Sequence, residues 1–239
     1  MKIAIYGCGG FAREVAPLAA ELGRDVVFIS DDPSEHGIVC GWPCVGLEDV
    51  PPGTGYVIAI ADRDVRTRLA EKADAHGLLA DSVISKTARL SGRQSIGPGA
   101  IICDFVIITD NVHVGRHFHA NFYSYIGHDT RVGDFVTLAP RTGVGGNHEV
   151  GDHVYVGTCA VLRHGTPAQP LRIGARATVG MGAVVTKDVP AGLTVVGNPA
   201  RPIVRDSCLP VEKHSGGAGV GGRQGVARLD QEHTRRQAG

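Results

Sequence analysis

His128 and Asp129, adjacent in the run Ile126-Gly127-His128-Asp129, are the pair in this chain best suited to moving a proton. An imidazole changes charge near neutral pH, and a carboxylate beside it can raise its basicity or fix which ring nitrogen carries the hydrogen. Such a base takes a proton from an incoming hydroxyl or amine. Successive strand residues point to opposite faces, so adjacency alone does not secure a bond between the two side chains. Asp110 competes as the orienting acid. A second constellation, Gly7-x-Gly9-x-x-Ala12, has the form of a nucleotide-binding fingerprint. Glycines at a strand-to-helix turn let phosphate oxygens reach backbone N–H groups at the positive end of the helix. Asp31 and Asp32 follow roughly 20 residues on, where an acid can accept hydrogen bonds from a ribose or base.

The element that must position His128 is a repeat. Stepping by six from Ile84 meets Leu90, Ile96, Ile102, Ile108, Val114, Ala120, Ile126, Val132, Leu138, Val144, Val150, Val156 and Leu162; after a short insertion the beat resumes at Ile173, Val179 and Val185. Glycine often follows the aliphatic residue, as at Gly97, Gly115, Gly127, Gly145 and Gly157, where the chain turns tightly or lets backbones approach. No helical or alternating pattern stays in phase so long, and a fixed short repeat means a solenoid. Six residues make one side and one corner of a triangular parallel β-helix, and three such units make a coil. The aliphatic residues stack inward as the core, each contributing roughly 1.5–3 kcal/mol on burial. Asp110, His128, Gly146 and His164 then share one column at a spacing of about 4.8 Å per coil, and Gly146 leaves open space beside the histidine. Most other solenoid histidines are expected on exposed flat sides.

Residues 1–80 read as strands alternating with helices, hence a small Rossmann-like domain with a parallel sheet: strands at Lys2–Tyr6, Val26–Ser30 and Tyr56–Ile60, helices after Gly10 and over Asp64–Ala75, and loop or edge structure from Asp31 to Gly55. This is about half of a dinucleotide fold, which favours a mononucleotide or nucleotide-sugar over NAD. Residues 81–203 form the solenoid, closed by a capping turn at Val195–Ala200, and residues 204–239, rich in glycine and charge, are expected to be disordered. Lys plus Arg and Asp plus Glu balance at 24 each, which argues against a nucleic-acid or membrane surface as partner. The amino terminus lacks a signal-peptide layout, so a cytoplasmic location is expected. The six cysteines lack paired spacing and read as buried or incidental thiols.

With both halves read, the chain resembles the sialic-acid O-acetyltransferase and UDP-amino-sugar N-acetyltransferase family of left-handed β-helix (hexapeptide-repeat) acyltransferases. The resemblance rests on Ile5-Tyr6-Gly7-Cys8-Gly9-Gly10-Phe11-Ala12-Arg13-Glu14-Val15, Ile29-Ser30-Asp31-Asp32, Ala59-Ile60-Ala61-Asp62, Ile126-Gly127-His128-Asp129 and Gly197-Asn198-Pro199-Ala200-Arg201. It implies an N-terminal domain that holds a nucleotide-sugar, a solenoid that holds acetyl-CoA as cosubstrate, homotrimers with active sites between subunits, and a place in cell-surface polysaccharide biosynthesis. By the same resemblance Gly10, Phe11 and Ala12 face the substrate's phosphates, Asp31 and Asp32 its nucleoside, and Ala61 closes the pocket. His128 becomes the general base and Asp129 the acid that strengthens it. Gly146, Thr158 and Met181 line the acetyl-CoA groove through backbone groups, with Pro199 near its end. Thr137 stands where some members carry a second histidine that contacts the acyl carrier.

The implied reaction is direct acetyl transfer to a nucleotide-linked amino sugar, with no metal required. O-acetylation of a sugar or sialic acid is the alternative. Two other classes use the same solenoid: a zinc hydratase of the γ-carbonic-anhydrase kind, for which His113, His117 and His119 are the tempting cluster, and a non-catalytic nucleotide-sugar-binding trimer.

Overall fold

The computed structural model describes residues 1–203, so the expectation for the tail from 204 onward, with Cys208 in it, lies outside the described residues. The first part runs β1 (Lys2–Tyr6), α1 (Gly10–Glu21), β2 (Asp25–Ile29), β3 (Gly37–Val39), β4 (Trp42–Val45), β5 (Gly55–Ile58), α2 (Arg63–Ala75) and β6 (Leu79–Ala80). These strands form one sheet in the order β3-β4-β2-β1-β5-β6, parallel except for β3, which pairs antiparallel with β4 at the edge. Alternation along the central strands serves both sides of this sheet. Ile3, Ile5, Val26, Phe28 and Val57 pack with Ala12, Val15 and Ala19 of α1, while Ala4, Tyr6, Val27, Ile29, Tyr56 and Ile58 pack with Ala70 and Ala73 of α2. Asp62 starts α2 by accepting hydrogen bonds from the Asp64 and Val65 N–H groups at 2.9 Å, the expected role of an acid at an N-cap.

From Val83 onward the chain is a left-handed parallel β-helix with three flat faces. The first face contains Ile101–Ile102, His119–Ala120, Thr137–Leu138, Tyr155–Val156 and Thr178–Val179. Ile107–Ile108, Tyr125–Ile126, Gly143–Val144 and Val161–Leu162 belong to the second, and Val112–Val114, Thr130–Val132, His148–Val150 and Leu171–Ile173 to the third. The six-residue aliphatic series forms the interior, together with small or β-branched residues at the corners such as Ala100, Val106, Val136 and Ala160.

Where glycine follows the aliphatic residue, as at Gly97 and Gly127, it answers close approach rather than turning. A Cβ on Gly97 would lie 2.6 Å from the carbonyl carbon of Gly115, and one on Gly127 would lie 2.6 Å from that of Gly145. The left-handed corner falls two positions later, at Phe105, Asn111, His117, Tyr123, Asp129, Phe135 and their successors, all with φ between 51° and 62°.

The two parts of the chain meet along the first face. Arg66 of α2 has no exposed surface. Its Nη1 donates to the Ile60 carbonyl at 2.9 Å and meets His119 Nδ1 at 3.0 Å, while Nη2 donates to the Phe135 carbonyl and to Thr137 Oγ1. His119 Nε2 in turn donates to the Ile58 carbonyl at 2.9 Å. One guanidinium and one imidazole therefore tie the β5–α2 connection to two coils of the solenoid.

The expectation that the solenoid histidines are exposed fails for three of them. His117 and His119 are covered by the N-terminal sheet and α2, and His148 shares its column with buried Val112, Thr130 and Leu171. His117 stacks on Phe135, which stacks on His153.

Burial, aided by Arg116, lowers the His117 imidazole from its ordinary value to about 4; burial and Arg66 push His119 well below it, and burial lowers His148. These rings stay neutral in the native state, whereas an unfolded histidine takes up a proton near pH 6.5. Stability should therefore be full above about pH 7 and fall as the pH drops from about 6.5 towards 4, before the carboxylates titrate. Melting temperatures measured at pH 7.5, 6 and 5 check this, and an unchanged value across the series contradicts it.

Candidate active site

A pocket of about 530 Å³ opens where β1 runs into α1. Gly7 makes the turn with φ +98°, and a Cβ there would press on Ile60 Cγ1 at 3.0 Å. Gly9 caps α1 without any side-chain bond, and neither it nor Gly10 has an atom within 4 Å of where a Cβ would stand. The fold itself does not demand glycine at these two places; the space in front of them is open. Gly10, Phe11, Asp31 and Asp32 line the pocket as expected.

Two expected members do not. Ala12 has no exposed surface and points its methyl into the α1 side of the core. Ala61 lines a separate cleft of about 380 Å³ with Asp62, Arg63, Phe135 and Thr137, because the chain turns away after Ile60 to begin α2.

Asp31 accepts at Oδ1 from the Tyr6 hydroxyl and from Lys72 Nζ, both at 2.7 Å. Burial opposes its ionisation, but hydrogen bonds from Lys72 and Tyr6 outweigh that effect and hold the carboxyl below its ordinary range. Asp32 accepts from the Ser34 N–H at 2.9 Å, and the Ser34 side chain together with this backbone bond lowers its carboxyl. Both acids are thus held as acceptors. Local sequence reading missed Cys8, Ser30 and Glu35, which line the same pocket. Glu35 accepts from Ser30 Oγ and from Cys8 Sγ, and burial together with Glu35 pushes the Cys8 thiol up to about 12. Cys8 is a pocket-wall thiol rather than an incidental one. The only signal in the sequence was its place between two fingerprint glycines.

His128 occupies the corner between the second and third faces, its side chain half exposed. Its Nδ1 is 2.7 Å from Asp129 Oδ2. Because Asp129 takes the left-handed corner conformation, φ +53°, the strand rule that sends neighbours to opposite sides does not apply there. Asp129 is itself held by Asn111 Nδ2 at 2.6 Å, and this bond, with that of His128, lowers its carboxyl. An ionised carboxylate can only accept, so Nδ1 carries the hydrogen and Nε2 keeps its lone pair. Asp110 does not compete, since Arg93 engages both of its oxygens.

The column is as the register requires, with one difference: the space at Gly146 is filled by the base itself. A Cβ on Gly146 would lie 2.8 Å from His128 Nε2. Both backbone groups of Gly146 are also taken, its N–H by His164 Nδ1 at 2.9 Å and its carbonyl by the Gly165 N–H. The Gly146 N–H is engaged within the chain, while its carbonyl oxygen keeps a second lone pair. Thr137 departs from expectation, for it lies buried under the N-terminal part with its hydroxyl engaged by Arg66. Thr158 and exposed Met181 stack on consecutive coils at the corner between the first and second faces, and Pro199 lies in the final turn beyond. Within one chain that corner and the His128 corner are separated by the width of the second face.

His113, His117 and His119 do not converge. His113 bonds to Ser95 on the third face, while His117 stacks at a corner and His119 is tied to Arg66 and Ile58. No group of three potential ligands that could hold a metal ion occurs among the described residues, and no helix among them is long and apolar enough to cross a membrane.

Residues 2–73 match the family described as the PglD N-terminal domain. Over 217 residues the chain is 39% identical to the GDP-perosamine N-acetyltransferase of Escherichia coli, covering 84% of this chain and 96% of that protein. Among solved structures, WeeI from Acinetobacter baumannii is 40% identical with a TM-score of 0.80, covering 85% of this chain and all (100%) of that one. The acetyltransferase domain of PglB from Neisseria gonorrhoeae in complex with acetyl coenzyme A is 31% identical, with a TM-score of 0.78 over 84% of this chain and 98% of that one. The PerB protein of Caulobacter crescentus in complex with CoA and GDP-perosamine is 27% identical, with a TM-score of 0.77 over 85% and 98%. The chain belongs to the sialic-acid O-acetyltransferase and UDP-amino-sugar N-acetyltransferase family of hexapeptide-repeat, left-handed β-helix acyltransferases.

Proposed function

We propose that this protein transfers the acetyl group of acetyl-CoA to the amine of a nucleotide-linked amino sugar, with His128 as general base and Asp129 as the acid that orients it. The observation that carries this reading is the His128–Asp129 pair, in which the bond to Nδ1 leaves Nε2 free to accept a proton at a half-exposed corner. The open glycine turn with its two ionised acids supplies a suitable place for phosphates and a ribose. Nitrogen rather than oxygen as acceptor, and GDP-perosamine as the first substrate to test, are supported by the names of the relatives. The reading sets the reaction in the cytoplasm, the compartment that supplies acetyl-CoA.

His128 Nε2 takes the proton that the amine loses as its nitrogen bonds to the thioester carbon. Asp129 stabilises the resulting imidazolium. When the tetrahedral centre collapses and the carbon–sulfur bond breaks, the imidazolium returns its proton to the departing thiolate, and the base is restored.

Assembly completes the site in this reading. The second face exposes Ile107, Tyr125 and Val161, flanked by exposed Phe105 and Tyr123 stacked at 5.0 Å. An apolar face of this kind is suited to burial against another copy. Packing as a homotrimer would set the Thr158–Met181 corner of one copy against the His128 corner of the next, forming the acetyl-CoA groove between them.

Free-thiol release from acetyl-CoA, measured over a panel of nucleotide-linked amino sugars, tests the activity; silence across the panel rejects it. His128→Ala should lower kcat by about 10²–10⁴-fold with acetyl-CoA binding kept, and near-normal turnover would remove the histidine from the mechanism. Gly146→Ala puts a methyl where the imidazole lies, so kcat should fall about tenfold or more with little change in melting temperature. Unaltered kinetics in that variant would mean the ring need not rest there.

A further inference from the structure

Asn111 stands one coil above Asp129 in the same corner column, a register set by the pairing of Val112 with Thr130. Its Nδ2 lies 2.6 Å from Asp129 Oδ1, while Asp129 Oδ2 lies 2.7 Å from His128 Nδ1. The two bonds use different oxygens, so the carboxylate is fixed at both ends. An ionised carboxylate can only accept, which requires the amide to face it through nitrogen rather than oxygen. Asparagine is common in the left-handed corner conformation that Asn111 adopts at φ +55°. The corner does not demand it, however, because Phe105, Tyr123, Phe135 and Arg141 take the same conformation at φ between 56° and 62°. Backbone geometry alone leaves the amide at 111 unexplained.

The charges around Asp129 give the amide a task. Asp110 precedes Asn111 and opposes ionisation of Asp129 by its like charge; the Arg93 guanidinium, which engages both oxygens of Asp110, also feels the charge of Asp129. Against this, the Asn111 bond is the largest influence lowering the Asp129 carboxyl, ahead of the bond from His128. Asp129 is half exposed, so water competes for both of its oxygens. With Oδ1 released the carboxylate can rotate, and the bond to His128 becomes one of several open to it.

We infer that Asn111 is a positioning residue for acetyl transfer: it holds Asp129 Oδ2 on His128 Nδ1 and thereby keeps the hydrogen on Nδ1 and the lone pair on Nε2. No proton and no electron pair passes through the amide. Its effect reaches the reaction only through the acid and the base. The inference rests on the acyl-transfer reading above, and its test keeps the two apart.

Two variants test it. Asn111→Gly suits a positive φ and removes the donor. Its kcat should fall about 10–100-fold, with both KM values within about threefold and the melting temperature within about 2 °C of the unaltered protein. Asn111→Asp keeps the shape and sets two carboxylates against each other; such a pair shares one proton at low pH, which restores a donor, and loses it as the pH rises. The other charged groups facing this corner, His128, Asp110 and Arg93, are common to both proteins and cancel in a ratio. The kcat of Asn111→Asp relative to the unaltered enzyme should therefore decline as the pH is raised from about 6 to about 9, whereas a purely structural loss gives a constant ratio. Wild-type kcat in Asn111→Gly, or a ratio independent of pH in Asn111→Asp, overturns the inference while leaving acyl transfer standing. Should the unaltered enzyme release no thiol with any sugar of the panel, acyl transfer fails, and ring ¹⁵N chemical shifts still decide the positioning. The Nδ1–H tautomer of His128 in the unaltered protein with a mixture of tautomers in Asn111→Gly upholds it; one and the same tautomer in both overturns it.

Discussion

Successive coils of the prism approach so closely beside many of the aliphatic rungs that a Cβ on Gly127 would lie 2.6 Å from the backbone of the coil below. That contact permits only glycine at many of these positions, and it locks each coil in register with the next. Everything placed on the outside inherits the register. Residues eighteen apart become vertical neighbours, as with Ile108, Ile126 and Val144, and the corner residues two positions later form columns whose composition the chain can choose. At one corner the choice is acid, imidazole, glycine and imidazole. The missing side chain at Gly146 then has a second use, because it gives the ring of His128 a bed and brings His164 within reach of it.

The N-terminal part is joined to this scaffold by few but fully committed groups. Arg66 is buried without a carboxylate partner, so its charge is compensated by carbonyl and hydroxyl oxygens from both sides of the junction. Burial lowers it only to about 10, and it stays a cation. Burial, aided by that cation, keeps His119 neutral, and neutral His119 can donate to Ile58 and support the ring of Phe11 at 5.2 Å in the pocket wall. The pocket at the glycine turn is therefore braced by the solenoid rather than hung from it on a linker. A substrate anchored in one part lies at a fixed distance from groups on the other.

Much of this was legible in the sequence, and the boundary has a physical basis. Short periods are local, so the six-residue beat, the glycine turn and the Asp62 start of α2 could be read directly, and the beat converts position into column without further information. Arg66, Glu35 and the pairing of Tyr6 with Asp31 could not. Arg66 bonds to the solenoid across 53 to 71 positions, Cys8 and Glu35 across 27, Tyr6 and Asp31 across 25, and none of these separations is a multiple of a local period. The solenoid histidines were misread for the same reason, since only the docked sheet decides that His117 and His119 are covered. The bond between His128 and Asp129 was ambiguous because strand geometry was assumed where the chain turns through a left-handed corner. The family resemblance points Thr137 at the acyl carrier, whereas Arg66, 71 positions away, engages its hydroxyl.

If His128 takes the proton of a sugar amine, it does so at Nε2, the ring nitrogen that the Asp129 carboxylate leaves unengaged. The most direct measurement is a crystal structure with CoA and a nucleotide-linked amino sugar bound together. The sugar amine should then lie roughly 3 Å from His128 Nε2, with the CoA sulfur on the far side of that amine and groove walls drawn from two copies of the chain. A bound sugar whose amine lies away from Nε2, or a CoA seated on a face remote from the His128 corner, would contradict it.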